Sequence, residues 1–149
     1  MTPRGITNNN PLNIRRTVTP WVGKVEKPSD PDFEQFVGMA HGLRAAMVNL
    51  RTIARRLWGR DKTVSIADVV AVWAPPSEND TYAYARAVAS ALFIEPDTPL
   101  DGVIFDLFPT MMIVVRAMVN VECGAGWADK IPAADYRRAA RMVPLELVP

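Results

Sequence analysis

Pro109-Thr110-Met111-Met112-Ile113-Val114-Val115-Arg116-Ala117-Met118-Val119-Asn120-Val121-Glu122-Cys123-Gly124 is the stretch on which the reading of this chain turns. Counting back from Glu122, the positions that share its face of a helix hold Val119, Met118, Val115, Val114 and Met111. All five are apolar, while Arg116 and Asn120 fall elsewhere, so the spacing predicts a buried helix from about residue 109 to 123. A carboxylate in the last turn of an apolar stripe is poorly solvated, which favours the neutral acid. The negative end of the helix dipole pushes the same way. Acidic side chains belong in a first turn, so Glu122 breaks a local rule, and such breaks tend to mark function.

Outward from this helix the chain reads as mainly α. Leu43, Met47, Leu50, Ala54 and Leu57 recur at helical spacing over residues 41–58, with Arg44, Arg51 and Arg55 on another face and Gly59 placed as a stop. Ser65 with Asp68 makes a capping arrangement for a short helix through Trp73, which Pro75 and Pro76 end. Asp80 or Thr81 then caps a helix to about residue 93, with Tyr84, Val88 and Ala91 or Leu92 on its apolar side. Residues 95–102 are rich in turn formers, and Pro132 suits the first position of a last helix to about residue 142. Residues 1–31 show little periodicity and read as an irregular ordered arm. Residues 32–37 read as a short strand through Phe33 and Phe36. The expectation is one mainly α domain over residues 1–149, with an irregular N-terminal arm and at most a short β element.

The bulk numbers remove several function classes. At 149 residues, 49% hydrophobic and 22% charged, the chain is one domain with a sizeable core. A formal net charge of +1 supplies no field to drive it onto nucleic acid or a membrane surface. Cys123 is the only cysteine and His41 the only histidine. A Ser-His-Asp or Cys-His pair would hang on one residue, and a His/Cys metal cluster is excluded; neither metal nor cofactor is expected. No apolar run follows the first charges, so no secretory signal is read. The longest apolar stretch, residues 111–121, is interrupted by Arg116 and Asn120 and is too short to span a bilayer.

A second unusual stretch opens the chain: Arg4-Gly5-Ile6-Thr7-Asn8-Asn9-Asn10-Pro11-Leu12-Asn13-Ile14-Arg15, with four asparagines in six residues. Each amide brings two donors and an acceptor that need partners, and asparagine bonds its own neighbouring backbone. The run reads as a polar turn. A flexible terminus is the bland alternative, but Ile6, Ile14, Val18 and Trp21 supply apolar anchors that a loose tail lacks.

The pattern Arg-Gly-Ile-x-Asn-Asn-Asn-Pro-x-Asn-Ile-Arg resembles a family of small phage and prophage proteins, described as virion structural proteins and taken to be lysozyme-like peptidoglycan-degrading enzymes. Further segments match that family in order: Trp21-Val22-Gly23, Asp32-Phe33-Glu34-Gln35-Phe36 and Gly42-Leu43-Arg44-Ala45, then Trp73-Ala74-Pro75-Pro76-Ser77-Glu78-Asn79-Asp80-Thr81 with Tyr84, then Val121-Glu122-Cys123-Gly124. Together they cover nearly the whole chain. The last departs from the family's His-Glu-Asn-Gly, and Leu12 stands where the family commonly has glycine.

The resemblance implies a lysozyme-like helical domain, with room for a permuted order in which the acid-bearing helix comes late and the asparagine turn early, the two meeting in space. Glu122 would then be the general acid at a glycosidic oxygen, a task that needs a raised carboxyl pKa. Glu78, in the proline-rich turn, would be a second carboxylate that orients water or binds a sugar hydroxyl, against a capping role shared with Asp80. Asn8, Asn9, Asn10 and Asn13 would bond N-acetyl groups or build the turn. Asp32 fits the family pattern better than Asp30 or Glu34. Trp21, Trp73, Tyr82 and Tyr84 offer flat surfaces for sugar rings; core packing is the competing reading, favoured for Tyr84 and left open for Trp21 and Trp73. Arg15-Arg16 and Arg137-Arg138 read as solvated charge, the former within reach of an anionic wall polymer.

The expected function is cleavage of the bond between N-acetylmuramic acid and N-acetylglucosamine in the peptidoglycan glycan strand. One well-motivated acid favours a lytic transglycosylase over a muramidase, because a two-carboxylate hydrolase needs a second group several ångströms away. The alternative is a catalytically inactive virion structural or wall-binding protein on the same frame, suggested by Cys123 beside the acid. Nucleic-acid binding has little support at this charge. The expected setting is the host cytoplasm before holin-dependent delivery to the periplasm and cell wall, or the virion itself.

Overall fold

A computed structural model describes residues 1–144; residues 145–149 of the expected 1–149 domain lie outside the described residues. The helix expected from Leu43 to Leu57 is the longest element, α2 (Met39–Asp61), following a single-turn helix α1 (Arg4–Thr7). Then come α3 (Ile66–Trp73), α4 (Thr81–Ala91), a 3-10 turn (Ile104–Asp106), α5 (Phe108–Cys123), α6 (Trp127–Lys130) and α7 (Ala133–Met142). The molecule is mainly helical, as its periodicity requires. α2 packs against α7 and α3, α3 against α4, and α4 against α5, which also meets α1, α2 and α6. Leu43, Met47 and Leu50 of α2, Val88 of α4 and the stripe Met111, Val114, Val115, Met118 and Val119 of α5 are buried together. Each fully buried Leu or Met contributes about 2 kcal/mol relative to an exposed one.

Local chemistry sets most boundaries. Ser65 and Asp68 form the reciprocal capping box at α3, and Asp80 accepts from the Ala83 amide to cap α4. Three boundaries move. α2 runs through Gly59, which nothing crowds, and stops where Lys62 takes the left-handed φ of 57° and donates to the Trp58 carbonyl. α4 ends at Ala91, short of Phe93, whose φ is 58°. Pro132 is the cap before α7 rather than its first residue. No strand forms over residues 32–37: Phe33 and Phe36 make isolated antiparallel bridges to Arg15 and Lys24. The short α1 and α6 lie below the length at which periodicity can be read. Among the described residues no helix is long and apolar enough to cross a membrane.

The N-terminal arm is held by polar groups. Asn10, with no exposed surface, donates to the Ile14 and Glu34 carbonyls, both at 2.9 Å, and accepts from the Ile14 amide at 2.9 Å. Buried Asp30 accepts from Arg4 at 2.5 and 2.6 Å, from Asn8 at 2.9 Å, and from the amides of Asp32 and Phe33. These bonds, the Arg4 pair foremost, hold its carboxyl well below the usual range. Glu34, 1% exposed, accepts from Lys24 at 3.0 Å and the Thr17 amide at 3.3 Å. The arm lies against α2 at Gly42, where a Cβ would run into the Asn9 carbonyl oxygen. It meets α5 at Gly5, where a Cβ would press on Asn13 Oδ1 at 3.0 Å and Cys123 Sγ at 3.3 Å.

Candidate functional site

The apolar stripe of α5 docks that helix rigidly and leaves its last turn at the edge of the core, where Gly124, at φ 115°, ends it. The Glu122 carboxyl is caught there between two donors. Asn13 Nδ2 donates to Oε1 at 3.0 Å, and the Tyr84 hydroxyl of α4 donates to Oε2 at 2.9 Å. Asn13 reaches this position from a left-handed backbone, φ 54°, a conformation that asparagine tolerates better than most residues. Burial pushes the Glu122 carboxyl up; the Asn13 and Tyr84 bonds oppose that, with a further pull from Trp73. The neighbouring Cys123 thiol donates to the Pro11 carbonyl at 3.2 Å, tying the same helix end to the opening turn. Its pKa is pushed up to about 11 by burial and by the Glu122 charge, so it is no nucleophile at neutral pH.

Glu122 lines a cleft of about 610 Å³ with Asn13, Arg15, Trp21, Trp73 and Glu78. Both tryptophans are half-buried with a face in the cleft wall, and Trp21 Nε1 has no partner among the described residues. Glu78 sits exposed at the rim, 3.3 Å from the Arg15 guanidinium; Asp80, not Glu78, caps α4.

Other expected binding residues lie elsewhere. Asn8 and Asn10 are buried in the arm, their amides consumed by Asp30, Gln35, Ile14 and Glu34. Asn9 spends its amide on the Phe36 carbonyl at 3.0 Å. These three build the turn and leave no group facing the cleft. Asp32 is outside it, in an exposed pair with Arg4 at 3.0 Å. The Tyr84 ring is core, 5% exposed, so it cannot stack a sugar; only its hydroxyl reaches the site. His41 lies against Gly23, away from the cleft lining. Among the described residues no group of three or more His, Cys, Asp or Glu converges as a metal site would.

The cleft also has a wall absent from the expected set: Asn49, Ile53 and Arg56 of α2. They are spaced four and three apart, one helical face, a signal present in the sequence but hidden by the stronger apolar stripe beside it.

No protein-family model matches the chain. It is 38% identical over 125 residues to Protein P5 of Pseudoalteromonas phage PM2, an alignment that covers 82% of this chain and 72% of that protein.

Proposed function

We propose that this chain, which belongs to the family of Protein P5 of Pseudoalteromonas phage PM2, cuts the glycan strand of peptidoglycan at the N-acetylmuramic acid linkage with Glu122 as the general acid. The observation that carries the reading is the Glu122 carboxyl at a cleft wall, half-buried and clamped by Asn13 from the opening turn and Tyr84 from α4. Burial keeps the proton available at a pH where an ordinary glutamate has lost it, and the two bonds fix the carboxyl's orientation.

The chemistry needs one carboxyl. Protonated Glu122 gives its proton to the glycosidic oxygen as the bond from that oxygen to C1 of the muramic acid breaks. The Asn13 and Tyr84 donors then stabilise the carboxylate that is left. The C6 hydroxyl of the same sugar closes on C1, and its proton returns to Glu122. The products are a 1,6-anhydro end and a free hydroxyl on the departing sugar, with no water consumed. A muramidase would need a second carboxylate held beside the reacting carbon. Glu78, exposed and paired with Arg15 at the rim, suits a hydroxyl contact better than that task, which favours the lytic transglycosylase on a lysozyme-like frame. Arrival at the wall would follow virion carriage or holin-dependent release from the host cytoplasm.

A non-catalytic wall-binding or virion structural role has one observation in its favour: Cys123 binds the opening turn instead of placing an amide beside the acid. Turbidity of purified peptidoglycan separates the readings. Wild type should clear the suspension and Glu122→Gln should not, with mass analysis of the fragments showing anhydro ends. No clearing by wild type points to the non-catalytic role, and clearing undiminished in Glu122→Gln removes the acid assignment.

A further inference from the structure

Four charged side chains line the cleft: Arg15, Arg56, Glu78 and Glu122. Three are accounted for. Arg15 and Glu78 pair at 3.3 Å, and Glu122 is held by neutral donors. Arg56, on the exposed side of α2, has neither ion pair nor hydrogen bond among the described residues. The rest of the polar lining is neutral, with Asn13, Thr17, Thr19, Asn49 and Asn79. Such groups bond hydroxyls and acetamides, which chitin and peptidoglycan share, so they cannot distinguish the two polymers. What peptidoglycan adds is acid: the carboxylates of the stem peptide, or the lactyl carboxylate where no peptide is attached to it.

We propose that Arg56 is the specificity-determining residue of this cleft, binding a carboxylate carried by muramic acid substituents and so selecting wall glycan over neutral N-acetylglucosamine polymer. The inference rests on the glycan reading above. A guanidinium suits the task, since its fixed fork matches a carboxylate with two parallel bonds. Being exposed and structurally unengaged, Arg56 can be replaced without disturbing the fold.

The test measures retention of the Glu122→Gln protein on three insoluble matrices: intact sacculi, sacculi stripped of stem peptides by an amidase, and chitin. Arg56→Glu and Arg56→Gln are added in that background, with Arg137→Glu on α7 as a charge control away from the cleft. Arg56→Gln should weaken retention on intact sacculi on the order of tenfold, the worth of one charge-assisted contact, and Arg56→Glu further. Weak retention on chitin should not change, and Arg137→Glu should behave as its parent. Loss of Arg56 dependence on stripped sacculi identifies the stem-peptide carboxylates as the ligand, and its persistence there shows that the guanidinium also takes the lactyl carboxylate that the amidase frees; both support the proposal. Equal retention on chitin and sacculi, or sacculus binding indifferent to Arg56, overturns it while leaving the glycan reading standing. Binding to none of the matrices overturns both. Thermal melts that match the parent's confirm that the variants are folded.

Discussion

The N-terminal arm and the helices it leans on are ordered by opposite means. In the helices, alternation of apolar positions with solvated ones does the work: α5 is placed by Met111, Val115 and Met118, and polar groups contribute at the ends, as Ser65 and Asp80 do. In the arm there is almost no regular backbone pairing; Leu12, Ile14 and Phe36 reach the common core, and Asn10, Asp30 and Glu34 fix the path of the chain around them. Buried polar groups are costly unless bonded, so Asn8, Asn10, Asp30 and Glu34 each find partners, whereas Asn13 Oδ1 and Trp21 Nε1 have none among the described residues. The lesson is that polar side chains in an irregular segment are not thereby free for a ligand. Asn8, Asn9 and Asn10 are scaffold, and of the four asparagines only Asn13 faces the cleft.

The hardest blow to this division falls where the two regions touch. On the proposed chemistry, Glu122→Gln should cut glycan-cleaving activity by about 10³-fold, the usual scale for a general acid, while thermal stability stays near wild type or rises. Next in size, Asn10→Ala should cost about 3 kcal/mol in a urea titration, because it strands the Ile14 amide and two carbonyls. Leu50→Ala in α2 should cost a similar amount through a cavity instead. Asn79→Ala on the exposed loop should stay within about 0.5 kcal/mol. An Asn10→Ala protein as stable as wild type would mean that the arm is not ordered by its amides.

Acid and base should also separate the two regions. Asp30 is held below its ordinary pKa, so the folded state binds fewer protons than the unfolded one at low pH. The arm's contribution is therefore complete above about pH 4 and drains away as the pH falls further. Glu122 is shifted up, so the folded state binds more protons, and stability falls as the pH rises past the ordinary glutamate value. Melting temperatures from pH 3 to 7 should lose their acid limb in Asp30→Asn and their higher-pH decline in Glu122→Gln. Tyr84→Phe should act on activity more mildly than Glu122→Gln. The ring stays buried, but one donor to Glu122 is gone, so the carboxyl pKa should rise. The upper limb of the activity profile should move to higher pH, with a rate loss of about tenfold.

The helices were legible because burial repeats with the helical period, and the caps because Ser65 with Asp68 and Asp80 act within one turn. The errors came where no local signal decides. Gly59 could end a helix or be passed through; α2 passes through it to Asp61, and Lys62 supplies the left-handed cap. Phe33 and Phe36 lie three apart, which suits a strand poorly, and each found a single bridge partner. At the site, the position of Glu122 on α5 follows from counting residues. That Asn13 rather than Asn10 faces the cleft depends on a left-handed turn that composition does not reveal. Arg56 was hidden because an exposed arginine on a helix looks the same whether it faces bulk water or a cleft.

The tie between the two ends of the chain has a consequence for how a cell makes this protein. Asn13 and Glu122 are 109 residues apart, and Pro11 and Cys123 are 112 apart. A ribosome releases the asparagine turn 109 residues before Glu122, so the carboxyl finds its setting only once α5 has emerged. Nascent fragments carry helices but not the clamp. Whatever work Glu122 does thus waits until translation has passed the end of α5.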